Sequence, residues 1–160
     1  MFEIVDADLS LPLHGDAVVH LLHEYASDPM GGGNGLTPFA KKYLVGELRK
    51  RDSAYVVLAF EGSTPAGIVV CFEAFSTFAC RPLLNLHDVV VSTPYRGKGL
   101  CRQMLATVEQ HAKKIGCCKL TLEVLEGNAT AQAVYRSFGF ANYELDPTIG
   151  KAMFWEKKLV

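Results

Sequence analysis

A chain of 160 residues fits one domain, which can bury about 70% of its unfolded surface. With 49% apolar and 21% charged residues it has the balance of an ordinary globular protein. A net charge of -1 gives no reason to expect nucleic acid as a partner, and no stretch approaches the 18 or more apolar residues of a membrane span.

The chain opens with MFEIVDADLS, which lacks a signal peptide's basic start and apolar core. Residues 2–7 read as a first strand. Residues 13–26 follow as an amphipathic helix with Val18, Val19, Leu21, Leu22 and Tyr25 on its apolar side. Residues 27–36, SDPMGGGNGL, carry too many glycines for regular structure. Thr37 then reads as an N-cap and Pro38 as the first position of a helix running to about Arg51, its stripe being Phe39, Tyr43, Leu44 and Leu48. Residues 54–60 and 66–77 predict a hairpin, and residues 83–92 a further strand stopped by Pro94. A helix over 97–115 is closed by Gly116, a strand covers 119–125, and a helix over 128–138 is closed by Gly139. Residues 140–145 and 151–158 complete the pattern as strands. The expectation is an α/β (α+β) protein: a central, mixed, mostly antiparallel sheet of about six to seven strands, with about four helices on its two faces. No linker or repeat divides it, so residues 1–160 read as one domain.

Five cysteines, Cys71, Cys80, Cys101, Cys117 and Cys118, make an odd count with no CxxC pair. They read as reduced thiols in a cytoplasmic protein. No metal site is expected: His20, His23 and Glu24 lack the i, i+4 histidine pair of a zinc protease and read as a solvated helix face.

The strongest chemical signal is LHDVVVSTPYRGKGLCRQML, residues 86–105. A strand runs into a turn whose Gly97 and Gly99 admit dihedrals that other residues avoid. Amides from Lys98 to Arg102 would converge at the positive end of a helix, with Arg96 and Lys98 adding charge. That is an anion site suited to a pyrophosphate. A P-loop would need glycine at Ser92 and Ser or Thr at Gly99. A dinucleotide fingerprint would need glycine at Arg102 and an acid where Cys117 and Cys118 stand. Both fail.

Arg96-Gly97-Lys98-Gly99-Leu100-Cys101 resembles the [Q/R]-x-x-G-x-[G/A] motif of the GCN5-related N-acetyltransferase (GNAT) superfamily, with Cys101 where the family usually has Gly or Ala. The stretch from Asn128 to Tyr135, followed by RSFGF, is a second family-like feature, and the element order is similar across the whole chain. The resemblance implies a GNAT-like fold and acetyl transfer from acetyl-coenzyme A to a primary amine of a small molecule or peptide, by direct attack in a ternary complex. It implies that the amides of Gly97, Lys98, Gly99, Leu100, Cys101 and Arg102 hold the pyrophosphate. The backbone of Val89, Val90 and Val91 would pair with the pantetheine arm. Asn128, Ala131 and Tyr135 would line that arm, and Tyr135 would donate a proton to the departing thiolate. Dimers are common in such families.

Other readings stand beside these. Asn128 is also a good N-cap, and Tyr135 is also a core aromatic. His87 and Asp88, expected on opposite faces of their strand, are candidate bases, with Glu73 and Glu123 behind them. His87 stands where diamine acetyltransferases, a branch that FSTFACRPLLNLHD broadly resembles, have an acidic residue. Cys101 in a first helical turn offers a covalent route. A coenzyme A-binding sensor without catalysis is the alternative function. The acceptor side is expected in residues 13–51, with Gly31 to Gly35 as a mobile flap, and in residues 72–81.

Overall fold

The computed structural model describes residues 1–159, which divide into two compact units meeting in sequence between Leu122 and Glu123. The first unit holds β1 (Phe2–Asp6), α1 (Pro12–Ser27), α2 (Pro38–Arg49), β2 (Ala54–Glu61), β3 (Thr64–Ser76), β4 (Arg81–Val91), α3 (Leu100–Lys114) and β5 (Leu120–Leu122). Its strands form one sheet in sequence order. All neighbours are antiparallel except β4 and β5, which are parallel and joined through α3.

Alternation along β2 and β3 sorts the core into two layers. Val56, Leu58, Phe60, Ile68 and Val70 pack with Ala17, Val18, Leu21 and Leu22 of α1. On the other face Val57, Ala59 and Val69 are fully buried on the side that takes Leu100, Met104, Leu105 and Val108 of α3. Tyr55, on this second face, stacks on His111 near the end of α3 with ring centroids 3.6 Å apart. α2 joins the first layer through Leu48, with Leu44 half-buried. Phe39 and Tyr43, expected in its buried stripe, are exposed and pack on each other instead, centroids 4.7 Å apart.

The helix ends follow local chemistry. Thr37 Oγ1 accepts from the Ala40 amide at 3.1 Å, with Pro38 in the first turn. α3 begins three residues later than the sequence predicts, because Gly97 and Gly99 both take φ of 75°, outside helical geometry.

The second unit holds α4 (Ala129–Phe138), ended by Gly139 at φ of 107°. The sheet therefore has five strands, and the two strands expected over 140–145 and 151–158 are absent among the described residues. They meet at one antiparallel bridge, Glu144 with Lys151. Between them Asp146 gathers the chain into a turn, its carboxylate accepting from Thr148 N and Oγ1 and its carbonyl from the Ile149 and Gly150 amides. A two-stranded ribbon is marginal in water. Within this unit the apolar residues Leu145, Met153, Phe154 and Trp155 are exposed, so no burial extends the bridge into a ladder.

One position tests the α3 layer. A Cβ on Gly67 would lie 2.8 Å from Met104 Cε and 3.0 Å from the Val90 carbonyl oxygen. The Gly67→Ala variant is expected to lose about 1–3 kcal/mol by overpacking, measured by urea denaturation. Unchanged stability would mean that Met104 swings aside freely.

Candidate active site

The centre of the site is an irregularity in β4. Val70 of β3 pairs with Asp88, but its neighbour Cys71 pairs with Leu86, so His87 is an extra, bulged residue. The bulge changes the phase of the strand. Asp88, opposite Val70, faces the α1 layer. The His87 ring lies edge-on to Phe72, which packs on the same layer, centroids 5.6 Å apart. The expectation that His87 and Asp88 face opposite ways is therefore corrected: simple alternation fails at a bulge, and both lie on the α1 side. Burial raises the proton affinity of the Asp88 carboxyl above the ordinary range, and the charge of His87 only partly opposes this. Tyr25 of α1 is near enough for Asp88 to help raise its phenol, after burial.

β5 pairs with β4 only from Leu84 to Leu86. Beyond that point β4 has β3 on one side, and among the described residues no strand on the other. Val89, Val90 and Val91 lie in this one-sided run. A 3-10 turn, Thr93–Tyr95, then leads to Arg96 and the glycines. A Cβ at Gly97 or Gly99 would meet nothing within 4 Å, so the left-handed φ, not crowding, is what calls for glycine there. No side chain caps α3, and the amides of its first turn, Leu100 and Cys101 among them, come before the intrahelical ladder begins. Lys98 is exposed, its ammonium 5.4 Å from the Tyr95 ring centre. Open space, uncapped amides and an exposed ammonium group fit a diphosphate. Leu100 is buried beneath the turn.

Two members of this set have further partners or surroundings that the sequence alone does not give. The Arg96 guanidinium turns back: Nε donates to the Val91 carbonyl at 3.1 Å and Nη2 to Asp28 Oδ2 at 3.2 Å. The Cys101 thiol is pushed up to about 11 by burial. A helix start favours thiolate, but desolvation outweighs it here, so the thiol stays protonated near neutral pH.

In the second unit, Asn128, Ala131 and Tyr135 share one face of α4. Asn128 Oδ1 accepts from the Ala131 amide at 3.1 Å, so its capping role is real. Tyr135 is buried, with its ring edge-on to Phe140 at 5.9 Å.

The residues around the end of α1 were not legible as site residues. Glu24 Oε1 accepts from Thr93 N at 2.9 Å and Thr93 Oγ1 at 3.2 Å. Burial pushes its carboxyl up, but hydrogen bonds from Thr93 and Ser92 outweigh this and hold it below its ordinary value. His23 Nδ1 accepts from the Leu36 amide at 3.0 Å, and Lys41 Nζ lies 3.1 Å from His23 Nε2. These side chains are thus engaged, which corrects their reading as a solvated face. The glycine loop is held too: Gly35 N donates to the Ala26 carbonyl, and a Cβ on Gly31 would overlap the Tyr25 carbonyl. The signal available in sequence was the spacing of Glu24 and Asp28, one helical turn apart. Glu73 and Glu123 are exposed.

A strand that loses a partner is followed here by an uncapped helix start behind two left-handed glycines, and the chain matches the acetyltransferase (GNAT) family over residues 19–140. It belongs to that family and is an N-acetyltransferase. It is 26% identical over 144 residues to the thialysine N-epsilon-acetyltransferase of Caenorhabditis elegans, a match covering 88% of this chain and 84% of that one. Streptothricin acetyltransferase of Streptomyces lavendulae is 35% identical over 83 residues, 52% of this chain and 44% of that one. An uncharacterized N-acetyltransferase of Bacillus subtilis, YycN, is 38% identical over 68 residues, 42% of each chain. The chain thus spans less than half of two of these relatives. The fold matches a crystal structure of a probable acetyltransferase at a TM-score of 0.81, with 22% identity and 98% of each chain covered. It also matches AAC(6')-Iy in complex with a CoA-containing bisubstrate analogue at 0.77, with 17% identity and 99% of each chain covered. Among the described residues no helix is long and apolar enough to cross a membrane.

The raised Asp88 carboxyl has a stability consequence. Its folded-state pKa lies above its unfolded one, so the fold carries a penalty that appears as pH rises through that window and stays above it. Asp88→Asn should therefore raise the melting temperature at neutral pH, the gain vanishing below about pH 4, where the carboxyl is neutral in both states. Thermal melts across pH check this; a neutral-pH loss of stability contradicts it.

Proposed function

We propose that this chain, as a single catalytic domain, transfers the acetyl group of acetyl-coenzyme A to a primary amine of a small molecule, by direct attack in a ternary complex. The observation that carries the reading is the one-sided run Val89 to Val91 leading into the uncapped start of α3. The cosubstrate, when bound, supplies a thioester carbonyl that a neutral amine can attack. The amides from Gly97 to Arg102 and the Lys98 ammonium hold the diphosphate, while Val89 and Val90 offer backbone partners to the amide-bearing arm. Asn128 and Ala131 line that arm in this reading.

An alkyl ammonium must lose its proton before it attacks, because its pKa is about 10.4. His87 or Asp88 takes that proton, directly or through water. Burial raises the proton affinity of Asp88, the direction that makes a carboxylate a better base at neutral pH. Tyr135 gives a proton to the departing thiolate. Cys101 takes no covalent part, which its raised pKa supports. A small-molecule acceptor is supported by relatives named for thialysine and streptothricin, to which an L-ornithine N5-acetyltransferase of Arabidopsis thaliana adds a third. A peptide amine is the second acceptor class. Five free thiols suit a reducing compartment and support a cytoplasmic setting.

Calorimetry with coenzyme A, and a free-thiol assay over a panel of lysine-like amines, test the reading; no binding of coenzyme A would overturn it. Tyr135→Phe should leave coenzyme A affinity nearly unchanged while cutting turnover about 10²-fold or more. Equal turnover would remove the tyrosine from the mechanism. After incubation with acetyl-coenzyme A, intact mass spectrometry should find no acetyl adduct dependent on Cys101. An adduct lost in Cys101→Ala would replace direct attack with a covalent route.

A further inference from the structure

Arg96 stands in the motif that faces the diphosphate, yet its guanidinium is spent inward. Nε reaches the Val91 carbonyl and Nη2 reaches Asp28 Oδ2, so one planar fork joins the end of β4 to the residue that ends α1. Asp28 is itself fixed. Its Oδ1 accepts from the Met30 amide at 2.9 Å, and its carbonyl accepts from the Gly31 and Gly33 amides at 2.8 and 3.1 Å. One turn earlier, Glu24 holds the amide and hydroxyl of Thr93. Thr93 opens, and Arg96 closes, the 3-10 turn that joins β4 to the glycines. Two carboxylates, Glu24 in α1 and Asp28 at its end, therefore grip both ends of the connection between the one-sided strand and Gly97 to Gly99.

We infer that Asp28, Glu24 and Arg96 are positioning residues: a strut from α1 that sets the glycine-turn amides relative to β4, with Arg96 serving as its fork and not as a diphosphate ligand. The strut presupposes the acetyl-coenzyme A reading. It also joins the two sides of the reaction, since Asp28 opens the glycine loop of the acceptor side.

The two roles for Arg96 predict opposite signs at Asp28. Were Arg96 a ligand of the diphosphate, Asp28 would compete for it and add an unfavourable negative charge nearby, so D28N would bind coenzyme A equally or more tightly. As a strut, D28N binds coenzyme A about three- to fivefold more weakly, the range of a partly exposed ion pair. It also raises KM for acetyl-coenzyme A, with kcat at saturation and the melting temperature near the unmodified values. The double variant D28N/R96A should then bind no more weakly than R96A alone, because both changes remove one unit. R96K provides a second arm: a lysine keeps the charge but cannot fork to Val91 and Asp28 together, so it should bind as weakly as R96A. Calorimetry with coenzyme A on the full chain reads all of these. Binding by D28N at or above wild-type strength, additive losses in the double variant, or wild-type affinity in R96K would each overturn the strut while leaving the cofactor reading intact. Absence of binding by the unmodified protein would overturn both.

Discussion

β4 has a partner on each side only as far as Leu86, and this constraint organises the rest of the molecule. Three parallel pairs tie it to β5, after which the bulge at His87 turns the strand's phase and its outer edge is left with backbone groups that no neighbouring strand takes up. Buried peptide groups without partners are costly, so an edge of this kind must face water or a ligand that carries amides of its own. The strand cannot simply continue, because Pro94 lacks an amide to donate and a short 3-10 turn replaces extended backbone. The chain then crosses over through α3 back to β5, so the start of α3 follows the open run and its turn in sequence. The open run Val89 to Val91 is thus a consequence of where one ladder stops.

Much of this was legible because it is local. Thr37 with Pro38 and Asn128 with Gly139 announce helix limits through groups a few residues apart, and the two glycines announce a left-handed turn whatever surrounds it. The bulge was not legible, since it exists only in the register between Val70, Cys71 and β4, which no pattern within 81–91 encodes. The pairing of Arg96 with Asp28 was not legible for the same reason: the two are 68 positions apart. The strands expected over 140–145 and 151–158 rest on short apolar stretches, which do not state whether a neighbour covers them. Within their unit Leu145, Phe154 and Trp155 are exposed, and the ladder stops at one bridge.

Two competing effects recur at the site, and burial wins both. At Cys101 the first turn of a helix favours thiolate, yet desolvation pushes the thiol up to about 11. At Asp88 a neighbouring imidazole favours carboxylate, yet desolvation raises the carboxyl. The result separates tasks between nearby groups. The α3 start holds no anion of its own, and the Asp88 carboxyl keeps its proton to a higher pH than an exposed carboxyl does.

The glycine loop after α1 illustrates how the same residue type can mean opposite things. Gly97 and Gly99 are glycines for their dihedral and stand in open space. Gly31 is a glycine for proximity, because a side chain there would overlap the Tyr25 carbonyl, and Gly35 lies against the His23 ring. A loop held by Leu36 on His23, by Gly35 on Ala26 and by three contacts to Asp28 is not a loose flap. Any movement of this loop must therefore break hydrogen bonds that converge on the last turns of α1 and the residue that ends it. Those turns also carry Tyr25 toward Asp88 and Glu24 toward Thr93. The end of α1 thus supports both the glycine loop that follows it and the turn that follows β4, so a substitution that disturbs these turns acts on both segments at once.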